Sequence, residues 1–236
     1  MLSLNKIQAH FIRLICDMEK DMVKVKAVIF DVDGLLLNTE FLWLEAWKEI
    51  GNKWGVPAFG DIFYKTVGLS GKDETDIVNE DLGDYPKKEE IFEAARQRGL
   101  KKIEEEISIM PGAVALLNKL EDKGIITAVA TTTSREKTDK RLKDLGLFDH
   151  FKVIICGDEV VHRKPDPEVY LKVLDKLALP ADEVLVLEDT GYGVTAAYKA
   201  GMKVIMVPSL NQPTEEEKKM AYKVVSSLND VVDMIE

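Results

Sequence analysis

The ten residues Asp31-Val32-Asp33-Gly34-Leu35-Leu36-Leu37-Asn38-Thr39-Glu40 constrain this chain more than any other stretch. They follow Val25-Lys26-Ala27-Val28-Ile29-Phe30, a short apolar, β-branched run closed by a turn signal, which reads as a buried strand. Two carboxylates two residues apart at the end of such a strand are costly. Like charges that close raise each other's pKa, and burial raises it further. A site that keeps such a pair uses it, most simply with a divalent cation and a phosphate between them. Gly34 supplies a residue free to take positive φ, so the backbone can turn tightly and aim N–H groups inward. The plain alternative is an Asp-Gly turn that only ends the strand.

The rest of the chain predicts where that strand sits. Glu40 to Lys53 reads as a helix carrying Phe41, Leu44, Trp47 and Ile50. From about Val56 to Ile109 the patterns are helical only, as in Lys87 to Ile107, with loops at Gly60, Gly68–Gly71 and Gly83–Pro86. Strand-like runs then return at Ile125–Ala130, Val153–Cys156, Val184–Leu187 and Val204–Val207. Helices are predicted between them over Ala113–Asp122, Arg135–Leu145, Pro167–Leu177 and Val194–Ala200. Strands alternating with helices at this spacing imply an α/β fold, a doubly wound parallel sheet with helices on both faces. The domain expectation is a core of residues 22–40 and 110–236, a helical insert over 41–109, and an N-terminal helical extension over 1–21. In that extension Leu4, Ile7, Phe11, Leu14, Ile15 and Met18 recur at helical spacing. Arg13 and the lack of a small-residue cleavage site fit a signal peptide poorly.

In an open parallel sheet, ligands sit beyond the carboxyl ends of the strands. The first strand ends in Asp31 and Asp33, and the second in Thr131-Thr132-Thr133-Ser134. The third is followed by Gly157-Asp158 and then His162-Arg163-Lys164-Pro165-Asp166-Pro167. The fourth ends in Glu188-Asp189-Thr190-Gly191. Acidic clusters, hydroxyls and a lysine therefore converge on one rim: hard oxygens for a cation, a hydroxyl and an ammonium for phosphoryl oxygens. Each has a plainer reading. Thr131–Ser134 would cap the helix beginning near Arg135, Lys164 would be a solvated loop lysine, and Glu188-Asp189 an N-cap pair. Pro165 and Pro167 stiffen the backbone around Lys164, and Gly191 and Gly193 suggest close backbone packing. All four clusters in order, each at a strand end, make coincidence a poor account.

Composition narrows the classes. At 236 residues the chain can bury roughly 70–75% of its unfolded surface. A hydrophobic content of 46% with 31% charged residues suits a soluble globular protein. The net charge of −10 argues against a nucleic-acid surface, though not against an anionic substrate, since a bound cation reverses the local field. No apolar run approaches the ~20 residues that span a bilayer. Cys16 and Cys156 form no disulfide framework, Cys156 reads as a small core residue, and a reducing cytoplasm fits. His10, His150 and His162 are scattered, which disfavours zinc.

With these residues in hand, the chain resembles the haloacid dehalogenase superfamily, in its branch of β-phosphoglucomutase-like enzymes and sugar-phosphate phosphatases. The likeness covers about residues 24–210 and is carried by DVDGLLLNTE (31–40), ATTTS (130–134), KPDPEVY (164–170) and LEDTGYGVTAAYKAGM (187–202). It implies Asp31 as the nucleophile that forms an aspartyl-phosphate, and Asp33 as general acid and then base. Thr131 and Lys164 would hold the transferring phosphoryl, with Thr132 and Thr133 beside the substrate. Asp31, Asp189 and the main-chain carbonyl of Asp33 would bind Mg²⁺, with Glu188 binding it directly or through another ligand. The presence of an acid at Asp33 favours phosphate esters over carbon–halogen bonds. The insert over 41–109 resembles the family's cap, which closes over the site and excludes water.

In the cap the chain departs from the mutase pattern. Trp43 stands where β-phosphoglucomutases place a histidine, and Gly71 where they place an arginine; Lys72 is one residue displaced. The resemblance therefore implies a Mg²⁺-dependent phosphatase acting on a small phosphomonoester, a sugar phosphate or nucleotide-like compound. A phosphomutase is the runner-up, and a non-catalytic protein that binds a phosphorylated ligand the remote alternative. The expected partner is a small phosphorylated metabolite, with no nucleic acid or membrane, and the expected state a cytoplasmic monomer. Trp43 is expected to face the cleft from the cap side, or else to clamp the linker as a core aromatic.

Overall fold

The computed structural model describes residues 24–69 and 71–235. The helix expected over residues 1–21 lies outside them. Six parallel strands form one sheet: β1 (Ala27–Phe30), β2 (Ile126–Ala130), β3 (Val153–Ile155), β4 (Val184–Glu188), β5 (Lys203–Met206) and β6 (Lys223–Val224). Their order is β3-β2-β1-β4-β5-β6. The winding reverses beside β1, with β2 in register on one flank (Phe30 opposite Val129) and β4 on the other (Phe30 opposite Leu187). That reversal opens a crevice beyond the carboxyl end of β1.

The strands read as continuous apolar runs because both sheet faces are covered. Val28 and Phe30 point into one buried cluster, Ala27 and Ile29 into another. The first face is covered by α5 (Ala113–Asp122), α6 (Arg135–Asp144) and α10 (Leu228–Val232) through Leu116, Leu117, Leu120, Leu142, Leu228 and Val231. The second is covered by α7 (Glu168–Leu177) and α8 (Gly191–Lys199) through Val169, Tyr170, Val173, Val194 and Ala197. Leu35, Leu36 and Leu37, all fully buried, anchor the loop after β1 in the first cluster.

Four helices follow that loop: α1 (Thr39–Lys53), α2 (Phe59–Thr66), α3 (Lys72–Leu82) and α4 (Lys88–Glu106). They enclose a third core, in which Trp47 stacks on Phe59 with ring centroids 4.7 Å apart. The chain leaves the sheet and returns to it side by side. Asn38 donates its backbone N–H to the carbonyl of Ser108 (3.1 Å), and the Ser108 N–H donates to Asn38 Oδ1 (2.7 Å). Leu37 bridges Ile109, and Met110 N–H donates to the Leu36 carbonyl (2.8 Å).

Two of the plainer readings do not hold. The helix at Arg135 is not capped by the hydroxyl cluster before it: Ser134 makes no side-chain cap bond, and Asp158 Oδ1 accepts the Arg135 N–H instead (2.9 Å). Likewise Glu188-Asp189 is not the N-cap of α8; Thr190 is, its hydroxyl accepting from Gly193 N–H (3.3 Å). Strand β6 and helices α9 (Glu215–Met220) and α10 lie beyond the predicted elements. They are too short for a periodic pattern, although both helices carry capping boxes, Thr214–Glu217 and Ser227–Asp230, that are visible in sequence.

Candidate active site

Asp31 stands one residue past β1, nearly buried, where the sheet's central strand ends. Its Oδ1 accepts from Lys164 Nζ at 2.6 Å. The same ammonium donates to Glu188 Oε1 (2.5 Å), at the end of β4, and to the Ala130 carbonyl (2.9 Å), at the end of β2. One lysine thus ties three strand ends together, which three donors and no acceptor allow. Tyr170 underpins it from α7: its hydroxyl donates to Glu188 Oε1 (2.5 Å), and Lys164 Nζ lies 5.1 Å from its ring centroid. Burial opposes the Lys164 charge, but Asp31 and Glu188 outweigh it and hold the ammonium above its ordinary pKa. Burial pushes Asp31 up to about 7 despite the pull of Lys164, with the Glu188 and Asp33 charges adding to the rise.

Asp189 completes a cluster of three buried carboxylates. Oxygens of Asp31, Glu188 and Asp189 lie within 4.8 Å of one another. Asp189 Oδ2 accepts from Ser209 Oγ (2.6 Å), whereas Oδ1 is buried with no hydrogen-bond partner among the described residues. Burial and then the Asp31 and Glu188 charges drive its pKa well above the ordinary range. Three acids against one ammonium crowd negative charge into a dry space, and one carboxylate oxygen of the cluster is left without a partner among the described residues. That donor set, all hard oxygen, fits a divalent cation of the Mg²⁺ or Ca²⁺ type.

Two glycines make the packing possible. Gly34 has φ +84°, and a Cβ there would fall 2.1 Å from Asp189 Oδ2. A Cβ on Gly193 would fall 1.9 Å from the Glu188 carboxylate. Any side chain at either position would collide with the acids themselves.

Asp33 faces elsewhere. Its Oδ2 accepts from Thr133 Oγ1 (2.7 Å) and its Oδ1 from Arg141 Nη1 (2.8 Å). It lines a cleft of about 440 Å³ between the sheet rim and the helical insert, with Thr132, Thr133, Lys137, Arg141 and Arg163 on the rim side. Glu40, Trp43, Gly71, Glu74, Arg96 and Leu100 face them from the insert side. Burial, followed by the charges of Asp33 and Asp31, lifts Glu40 to about 8.

The profile of the haloacid dehalogenase-like hydrolases matches residues 28–207. The chain belongs to that family. It is 32% identical over 212 residues to the phosphorylated carbohydrates phosphatase of Thermotoga maritima, covering 90% of this chain and 91% of that protein. A Thermotoga maritima structure provisionally assigned as a β-phosphoglucomutase superposes with a TM-score of 0.71 at 31% identity, over 88% of this chain and 97% of the other. A variant of CbbY from Rhodobacter sphaeroides, solved with xylulose-(1,5)bisphosphate, gives 0.66 at 27% identity, over 87% and 96%. The relatives are phosphatases and β-phosphoglucomutase-like proteins, and this haloacid dehalogenase-like enzyme is a phosphohydrolase of the same kind.

In this haloacid dehalogenase-like fold, Asp31, Lys164, Glu188 and Asp189 meet in one buried cage, and Asp33, Thr132 and Thr133 meet at the cleft. Thr131 is buried beside them, its hydroxyl accepting the Thr133 N–H (3.1 Å). Trp43 makes two contacts of note. It lines the cleft, and its ring packs so closely on α4 that a Cβ at Gly99 would lie 2.1 Å from Cε3. Gly71 lines the cleft with open space around it. Lys72 does not join them: it is exposed and pairs with Asp76 one turn along α3 (2.6 Å). Arg141, Ser209, Tyr170 and Glu40 lay outside the predicted set. Tyr170 and Glu40 close two of the motifs and could have been singled out; Arg141 and Ser209 belong to none.

Proposed function

We propose that this chain is a Mg²⁺-dependent phosphatase that hydrolyses a small phosphomonoester, a sugar phosphate or nucleotide-like compound, through an aspartyl-phosphate on Asp31. The observation that supports it best is the division of labour at the rim: a caged Asp31 held by Lys164, and an Asp33 two residues on that faces the cleft. In this reading a carboxylate oxygen of Asp31 bonds to phosphorus as the ester P–O bond breaks. The leaving oxygen takes a proton from Asp33. Asp33 then takes a proton from the water that attacks the acyl phosphate, releasing inorganic phosphate and restoring Asp31. Lys164 and Thr131 hold the phosphoryl oxygens, and Thr132 and Thr133 line the ester's path.

Asp31, Asp189 and the Asp33 carbonyl would hold the cation, with Glu188 bound directly or through water. Mg²⁺ bound there supplies the positive charge that lets a carboxylate approach a phosphate dianion. The helical insert, about 41–109, serves as a cap that excludes bulk water during the first step. A phosphomutase must keep the acyl phosphate from water and grip a second phosphate. Trp43 and Gly71, in place of a histidine and an arginine, favour water as acceptor.

The deciding experiment is a phosphate-release screen over sugar and nucleoside phosphates, with and without EDTA. It includes β-glucose 1-phosphate plus a bisphosphate primer. Release from at least one ester, lost on chelation and in Asp31→Asn, is the expected result. Isomerisation of the hexose phosphate without release would favour the mutase, and activity indifferent to EDTA would remove the metal from the scheme.

A further inference from the structure

The two aspartates after β1 are drawn to different cations. Asp31 goes to Lys164, whereas Asp33 is gripped at both oxygens, by the Thr133 hydroxyl and by Arg141 Nη1. Arg141 lies 108 residues further along, on α6, and belongs to none of the four motifs. Its side chain is 13% exposed and that of Asp33 18%, so the pair is shielded without being sealed from the cleft both residues line.

Asp33 needs such a grip. It sits past the end of β1, immediately before the turn at Gly34, where a bridge to Leu37 holds the backbone and leaves the side chain to be fixed by other contacts. A single bond from Thr133 would hold one oxygen and leave the carboxylate free to swing about it. A second donor on the other oxygen removes that freedom, and Arg141 Nη1 supplies it as a charge-assisted bond. Arg141 can keep its bond to Oδ1 in both halves of the cycle, since a carboxyl group retains an accepting oxygen after it takes a proton.

We propose that Arg141 is a positioning residue for the reaction, aiming the Asp33 carboxyl at the leaving oxygen. The proposal rests on the phosphatase reading and adds to it a residue that acts only through Asp33. When the ester P–O bond breaks, its electron pair goes to the leaving oxygen, which takes the Asp33 proton. An alkoxide requires that proton; a p-nitrophenolate, already a stable anion, does not. Losing Arg141 should therefore injure alkyl esters far more than aryl esters, which a merely structural ion pair would not do.

The test compares kcat/KM for the fastest alkyl ester of a panel (glucose 1- and 6-phosphate, fructose 6-phosphate, ribose 5-phosphate) with that for p-nitrophenyl phosphate. Parent enzyme, Arg141→Ala and Arg141→Lys are measured side by side. In Arg141→Ala the alkyl ester should lose about 10- to 100-fold, the range expected when a catalytic group is misplaced by about an ångström. The loss should fall in kcat rather than KM, and p-nitrophenyl phosphate should be little changed. Arg141→Lys should recover part of it, keeping a cationic donor on a differently shaped side chain. In an Asp33→Asn background, Arg141→Ala should cost nothing further. Equal losses on both ester classes, a rise in KM alone, or a full additional loss in the Asp33→Asn background would each overturn the proposal. If Arg141→Ala does not fold, Arg141→Lys and Arg141→Gln carry the same comparison. A parent enzyme inert on every ester would instead overturn the phosphatase reading itself.

Discussion

The cage around Lys164 and the cleft around Asp33 solve one problem by opposite means. In the cage, Lys164 and Asp31 keep side-chain exposures of 4% and 9%, and Glu188 is wholly buried. Its geometry is set by burial and by a lysine that touches three strand ends. At the cleft, Asp33 and Arg141 stay partly wet, and their pairing is lateral, between a turn and a helix flank. The like-charge conflict of Asp31 and Asp33 is relieved by separating them between two cations and two dielectrics. Burial suits a group that must be reactive and shielded from water. Partial exposure suits one that, in the proposed scheme, gives a proton to the leaving oxygen and takes one from a water.

Breaking the cage chemistry should have the largest effect. Asp31→Asn keeps the shape and the Lys164 contact but removes the nucleophile of the proposed scheme, so phosphate release should vanish. Asp33→Asn should leave a measurable enzyme, slowed about 10²–10⁴-fold, the usual worth of a positioned acid–base. Steady-state kinetics on one ester checks both. A nearly equal loss would mean that the cleft carboxylate shares the covalent role assigned to the cage.

Stability should separate the regions next. Lys164→Ala strands Asp31 and Glu188 without their cation, and loss of one buried partner typically costs about 3–5 kcal/mol. Arg141→Ala leaves Asp33 in reach of water, so about 1 kcal/mol or less is expected. Urea denaturation of the two variants, without added metal, measures the contrast. Similar costs would show that the cleft pair is as desolvated as the cage.

The cage was legible in the sequence and the cleft only partly so, for a physical reason. Asp31, Glu188 and Asp189 each follow an apolar run buried on both faces, so the strand ends, and therefore the rim, could be located from hydrophobic pattern alone. Lys164 was marked by its two prolines. Arg141 carries no such mark: α6 reads REKTDKRLKD, with five basic residues, and periodicity gives no reason to choose one. Which of them reaches Asp33 depends on how α6 lies on the sheet face. Lys72 is the complementary case: its place one residue from Gly71 is read from the sequence, but the direction of a side chain at the first turn of α3 is not. Ser209 sits in a loop with no pattern at all, yet it holds Asp189.

Trp43 tests the cleft without touching the cage. Its ring forms one wall of the cleft and packs on Gly99. Trp43→Leu should change the ratio of kcat/KM between a bulky and a small ester by about 10-fold, the usual scale for reshaping an apolar wall. An unchanged ratio across the panel would make Trp43 a packing residue only.

A pH-dependent probe of the cleft is Glu40, half-buried at the start of α1 on the cleft wall. Burial and then the charges of Asp33 and Asp31 raise it from 4.5 to about 8 in the folded protein. The fold therefore keeps a proton that the unfolded chain has already lost. Between these values the native state binds more protons than the unfolded one, so stability declines as pH rises from about 4.5 and levels off above about 8. Glu40→Gln removes the ionisable group and with it this part of the slope. The variant should match the parent near its ordinary pKa of 4.5 and exceed it above about 8, read as the difference in urea midpoint at the two pH values. An identical difference at both would mean that Glu40 is hydrated like an exposed acid, and the cleft wall wetter than the contrast with the cage requires.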